Sequence, residues 1–374
     1  MYSKLSFTGE LTFFQKLRSL DYWLLFCVLL LGIISTISMY SSEGGQILYY
    51  TKSHFIRFSV FFLLMLVLSF LRPSFWHAIG YLFFFIVMVL LVVASFYGVK
   101  ASGSQRWINL YFVNLQPSEL MKIAIIVCFA KYYHRIQITN VNTLQGLLIP
   151  IVILIIPIVF VLSQPDLGTS ILIALSGIAV VWLSGVKIKY FFYSFLSLII
   201  TAPFIISLLK PYQKIRILTF FNPERDPLGA GYQIIQSKIA IGSGGIYGKG
   251  FLKGTQSYLE FLPEKHTDFI FTLFSEEHGF VGSFILLIIY AILIFRIISI
   301  GALSRSFFGK LFCYGFGTSI FIYIVVNMAM VLGMVPIVGS PLPIMSYGGS
   351  SMLATMIGLA IVMGCRIYNK ELIA

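Results

Sequence analysis

A chain of 374 residues that is 59% hydrophobic and only 10% charged is unlike a soluble domain, where charged residues make up about a quarter. With a mean hydropathy of +0.94, it excludes a soluble enzyme, a disordered segment and a secreted disulfide scaffold, and reads as an all-α polytopic membrane protein. The formal charge is +13, but the basic residues lie mostly between apolar runs, which points to membrane orientation and anionic lipid, not nucleic acid.

Ten apolar runs follow in order, at about 22–42, 55–71, 76–98, 117–133, 144–162, 167–185, 188–209, 280–298, 311–333 and 344–365. Each is near the roughly 20 residues that cross a bilayer as a helix, so ten transmembrane helices are expected. The first run follows Lys4, Lys16 and Arg18, is long for a signal peptide and has no small-residue cleavage site after it, so it reads as an uncleaved span. An even number of spans puts both termini on one side. With the N-terminus inside, the short outer loops carry only Lys52, Arg57, Lys100 and Arg106, while the inner segments carry most of the remaining Lys and Arg. The positive-inside rule then gives N-in/C-in. The expected division is 1–209 for transmembrane helices 1–7, 210–279 for one large extracytoplasmic loop, and 280–374 for transmembrane helices 8–10. Cys27, Cys128, Cys313 and Cys365 sit in or at the ends of apolar runs without CxxC spacing and read as small apolar fillers.

Polar residues stand out against this background. Arg106 beside Trp107 is either an interfacial anchor or a binder of an anionic head group. Glu119 and Lys122 share a face of the fourth run, as a buried ion pair or as the border of a polar cavity. Asp166 reads as the N-cap of the sixth run. Within 210–279, Tyr232, Ile235 and Ile239 recur at helical spacing with Lys238 among the intervening polar residues, which suggests an interfacial helix. The densest chemistry is Glu264-Lys265-His266-Thr267-Asp268. Asp268 heads a stripe with Thr272, Ser275, Gly279 and Ser283, which must face a cavity or another helix. It is a candidate general base, with a capping cluster as the alternative; partial burial there would favour proton uptake. Glu276 and Glu277 follow, and at least one needs a polar partner. The uncharged segment Gly339 to Ser351, with its two prolines, reads as a broken entry to the last helix or a tight turn. Gly244-Gly245-Ile246-Tyr247-Gly248-Lys249-Gly250 fails as a Walker A loop, because Ser243 and Gly250 occupy positions that need Gly and Ser or Thr. The scattered histidines suggest no transition-metal centre.

Several of these segments resemble one family. Asn222-Pro223-Glu224-Arg225-Asp226-Pro227-Leu228-Gly229-Ala230-Gly231-Tyr232-Gln233, then Gln236 to Gly245, and Glu264 to Phe269 are similar to the SEDS proteins (shape, elongation, division and sporulation). Gln116-Pro117-Ser118-Glu119, Gln164 to Thr169 and Ser346 to Ser351 fit the same family, in order along nearly the whole chain. Gly254 to Ser257 before Leu259 to Pro263 resembles the elongation branch more than the division branch.

The resemblance implies a peptidoglycan glycosyltransferase of the bacterial plasma (inner) membrane that polymerises lipid II on the outer face. It also implies a class B penicillin-binding protein transpeptidase as partner, within an elongation complex. The family's catalytic Asp carries over onto Asp268, and its important Glu and Lys onto Glu119 and Lys122. The expected chemistry is one inverting displacement of undecaprenyl diphosphate, with Asp268 taking the acceptor's proton. Lys122, Arg106 and Arg216 are candidates to stabilise the leaving diphosphate, and Glu119 would hold Lys122 or help bind a cation. Lys238, Glu264, His266 and Ser346 complete the candidate substrate-binding set. A divalent cation, Mg or Mn, is a candidate cofactor. The alternative is a flippase for the lipid-linked precursor.

Overall fold

Inside lipid no water satisfies backbone N–H and C=O groups, so apolar runs of this length close their bonds as helices. The computed structural model describes residues 12–101, 104–109, 114–136, 140–208, 214, 218–220, 222, 230–255 and 264–373. Its helices are α1 (Phe13–Arg18), α2 (Tyr22–Ser42), α3 (Tyr49–Leu68), α4 (Pro73–Tyr97), α5 (Pro117–Arg135), α6 (Leu144–Ser163), α7 (Leu167–Leu183), α8 (Ile188–Leu208), α9 (Ala230–Gly244), α10 (Ile270–Leu303), α11 (Phe307–Val331) and α12 (Gly349–Ile367). Seven of them, α2, α3, α4, α6, α10, α11 and α12, are long and apolar enough to cross a membrane, and the protein is a multi-pass helical membrane protein. The other three apolar runs also form helices. Of these, α7 has 17 residues, α8 is apolar over a shorter stretch, and α5 carries Glu119, Lys122, Lys131 and Arg135.

The all-α expectation needs one correction. Between α4 and α5 lies a small antiparallel sheet in the order β1 (Val99–Ala101), β2 (Ser104–Asn109), β3 (Asn114–Leu115). Val99 pairs with Trp107, and Ile108 with Leu115. In this connection strand pairing satisfies the backbone groups.

Helix ends are fixed by particular residues. Asp21 caps α2 by accepting from Leu24 N at 2.9 Å, and its other oxygen pairs with Arg296 of α10. Asp166 caps α7 through Thr169 N at 3.1 Å, as its place before an apolar run suggests. The helix expected around Tyr232, Ile235 and Ile239 is α9. It receives the polar stripe of α10: Ser237 Oγ and Thr272 Oγ1 lie 2.8 Å apart.

The glycine-rich segment after α9 has a structural purpose. It runs alongside a break in α10 at Gly279 (φ 63°, ψ −160°). Lys249 N and Gly250 N donate to the Glu276 and Glu277 carbonyls at 3.0 Å each, and Phe280 N donates to Gly245 O at 2.9 Å. A Cβ on Gly279 would collide with the backbone of Ile246 and Gly248, so only glycine fits this splice. Both buried acids find partners there. Glu276 takes Lys249 Nζ at 2.7 Å, and Glu277 accepts from Ser41 Oγ and from Leu252 N.

Candidate active site

The helix ends and connections near the start of α5 enclose a cavity of about 1170 Å³, somewhat above the usual range for small-molecule sites, about 300–1,000 Å³. Asp268, Glu264, Glu119, Arg106 and Asp166 line it, together with Arg57.

One part of the wall is an ordered set of charges. Arg106, on β2, pairs through Nη1 with Asp166 Oδ2 at 2.9 Å. Gln116 Nε2 donates to the same oxygen at 3.0 Å. Asp166 therefore caps α7 with one oxygen and holds Arg106 with the other. The cap reading was legible in the sequence; the pairing was not. Behind this set, Glu119 Oε1 and Lys122 Nζ pair at 2.7 Å, both buried. Both readings of that pair are physically present: it is a buried ion pair, and Glu119 borders the cavity. Lys122 stands one layer deeper, its Nζ 4.0 Å from the centre of the Tyr323 ring, beside a space of about 30 Å³. That space is of the order of a single water molecule.

Asp268 lies in the turn ahead of α10 and is half-buried. Asn327 of α11 donates to its backbone carbonyl at 2.9 Å. Two residues earlier, the His266 carbonyl accepts from Tyr347 N at 2.9 Å. The His266 ring stacks on Tyr50 at 4.0 Å, and its Nδ1 lies 2.8 Å from Ser42 Oγ. His266 thus anchors the segment and does not line the cavity. Glu264 is exposed at the rim and accepts from Thr267 Oγ1 at 2.7 Å.

The remaining candidates fall elsewhere. Ser346 is buried inside the segment before α12, where its Oγ accepts from Leu342 N at 2.7 Å. Ser350 and Ser351 line the cavity in its place. Lys238 is exposed, away from the cavity wall, with its side chain over Gly333 at the end of α11. Arg216 lies outside the described residues. Sequence reasoning missed Arg57, whose guanidinium lies 4.7 Å from the Tyr347 ring centre. It was counted only as a loop charge; its signal was a cation within the first turns of an apolar helix.

A profile described as cell cycle protein, of the FtsW, RodA and SpoVE group, matches residues 18–371. The chain belongs to this family, the SEDS proteins. This SEDS chain is 40% identical over 365 residues to "Peptidoglycan glycosyltransferase MrdB" of Escherichia coli (strain K12), covering 96% of this chain and 97% of that protein. It is 39% identical over 330 residues to "Probable peptidoglycan glycosyltransferase FtsW" of Buchnera aphidicola subsp. Schizaphis graminum, covering 85% and 92%. A solved structure described as "Structural coordination of polymerization and crosslinking by a peptidoglycan synthase complex" superposes with a TM-score of 0.80 at 28% identity, covering 93% of this chain and 98% of that one. The rod shape determining protein RodA of Thermus thermophilus shares the fold, with a TM-score of 0.71 at 23% identity over 94% of this chain and 98% of that one.

Among the described residues no three His, Cys, Asp or Glu side chains come together as a metal cage. Glu119 and Asp166 already pair with cations. The described residues therefore do not fit a protein-only site for Mg or Mn, and a divalent cation would take most of its ligands from water and phosphate, as Mg commonly does.

Proposed function

We propose that this SEDS protein is a peptidoglycan glycosyltransferase that polymerises lipid II into β-1,4 glycan strands for cell elongation. The observation that carries the reading is the joining of the Asp268 carboxylate with Arg57 and Arg106 on the wall of one cavity. An acid to take a proton and cations to receive an anionic leaving group are the parts the reaction needs. The names of the relatives support it.

In this mechanism the 4-hydroxyl oxygen of the acceptor GlcNAc bonds to the anomeric carbon of the donor MurNAc. The bond from that carbon to the diphosphate oxygen breaks, and its electron pair leaves with undecaprenyl diphosphate. Asp268 takes the hydroxyl proton. Arg57 and Arg106 face the developing charge, with Asp166 and Gln116 fixing Arg106. The Glu119–Lys122 pair supports that wall from behind. A single displacement inverts the α-linked donor to the β product, so one carboxylate suffices.

The proposal includes ten membrane spans with both termini inside and the cavity on the outer face of the bacterial plasma membrane. A class B penicillin-binding protein is the proposed partner. The test is polymerisation of labelled lipid II by the purified protein, alone and with that partner, followed by digestion with a β-1,4-muramidase. Digestible glycan from wild type, with Arg57→Ala and Arg106→Ala each lowering the yield, is the expected result. No glycan even beside a partner of proven transpeptidase activity would move the reading to a flippase.

A further inference from the structure

Asn327 is fully buried near the C-terminal end of the apolar helix α11. The N–H groups of a primary amide are costly to bury there unless they are bonded. Its Nδ2 donates twice, to the Asp268 carbonyl at 2.9 Å and to the Ser340 carbonyl at 2.6 Å. Both partners are backbone acceptors, so the amide orientation follows from the contacts themselves. One side chain thus joins two segments that the chain separates by 72 residues: the turn carrying Asp268 and the segment Gly339–Ser340 ahead of α12. Both line the cavity at Asp268 and Gly339. Gly339 has φ +67°, and a Cβ built on it would stand 3.3 Å from Asp268 Oδ2. The carboxylate therefore rests against a wall that is bare because its residue is glycine.

We infer that Asn327 is a positioning residue that sets the Asp268 carboxylate against the Gly339 wall by tying both backbones to α11. It touches no substrate; it acts through the place of the reacting oxygen. A displacement of about 1 Å at such a group can cost 10²-fold in rate. The inference rests on Asp268 being the base. It gives Asn327, a polar residue that helix packing alone does not require, a specific purpose.

The test is a cycle of Asn327→Ala, Gly339→Ala and the double variant in lipid II polymerisation with the partner present, read as kcat and KM per folded enzyme. Asn327→Ala lowers kcat by about 10- to 100-fold with KM within about twofold. Gly339→Ala lowers kcat similarly, because its methyl group crowds Asp268 Oδ2. The double variant is little worse than either single one, since an untethered carboxylate can move off the methyl. Unchanged kcat in folded Asn327→Ala, or losses that multiply in the double variant, overturns the inference. Should Asn327→Ala not fold, Asn327→Asp keeps the shape, can give at most one of the two hydrogen bonds, and carries the same comparison. Asp268→Asn in the same assay separates the two claims. An inactive Asp268→Asn beside a fully active Asn327→Ala removes only the positioning role, whereas an active Asp268→Asn removes the base itself.

Discussion

α5 and α8 invert the rule of soluble proteins. α8 is apolar, yet every residue from Phe192 to Thr201 is exposed. α5 is the less apolar helix, with Glu119, Lys122, Lys131 and Arg135, yet every residue from Pro117 to Lys131 is buried. Lipid solvates apolar side chains as well as a protein core does, so apolarity alone drives neither helix inward. Charges are what lipid rejects, and they are placed inside the bundle, against partners or a polar cavity. In α5 the carboxylate of Glu119 meets the ammonium of Lys122, and Lys131 Nζ donates to the Ala78 carbonyl at 2.7 Å. α5 also packs against α4, α7, α11 and α12, which makes it the axis on which one cavity wall is built.

The contrast can be broken most sharply at the ion pair. Lys122→Met leaves Glu119 buried without its partner and is expected to destabilise the protein by about 3–5 kcal/mol. Glu119→Leu together with Lys122→Met, which removes both charges, is expected to cost less than the single change. Thermal melting in detergent ranks the variants, and a double variant worse than Lys122→Met would show that the pair itself is the favourable term. The next effect is apolar. Ile126→Ala in α5 opens a cavity beside α11 and is expected to lose about 2–5 kcal/mol, whereas Ile200→Ala in α8 stays within about 0.5 kcal/mol. Equal losses at the two sites would mean that α8 packs against protein after all.

The smallest expected effect concerns the connection between α2 and α3. Burial alone would raise the Glu43 carboxyl, but it accepts from Thr51 Oγ1 and from the N–H groups of Thr51, Tyr50 and Leu48, and these hold it below the ordinary value of 4.5. The charged form is thus favoured by the fold. Its contribution is present above about pH 4.5 and fades as the pH falls through the lowered value. Glu43→Gln is expected to lower stability by about 1–2 kcal/mol at neutral pH, with the difference from wild type shrinking on acidification. A difference independent of pH between 7 and 4 would show that the charge is not what caps α3.

Much of this frame was legible in the sequence, because a bilayer imposes one length and one secondary structure on each span. The polar residues were visible for the same reason, as interruptions in apolar runs. What the sequence hid were the meetings. Asp166 offers one local signal, its N-cap position, and nothing nearby says that its second oxygen takes Arg106. Asn327 and Gly339 sit far from Asp268 along the chain, and neither has a local pattern that points there. The β1–β2–β3 sheet was missed because its strands are only a few residues long. The glycines of 244–250 fail the Walker A pattern in the sequence, but only the structure explains them: the α10 backbone leaves no room for a Cβ at Gly244 and Gly248, and Gly245 and Gly250 have positive φ.

The central claim is that Asp268 takes the proton in glycan polymerisation. Its most direct test is lipid II polymerisation by wild type and Asp268→Asn, each with the partner present and each shown to be folded by melting in detergent. Polymer from wild type and none from the folded, nearly isosteric variant is the predicted result. Equal polymer from both would contradict the account and move the base to Glu119 or Glu264, two further carboxylates on the same cavity wall.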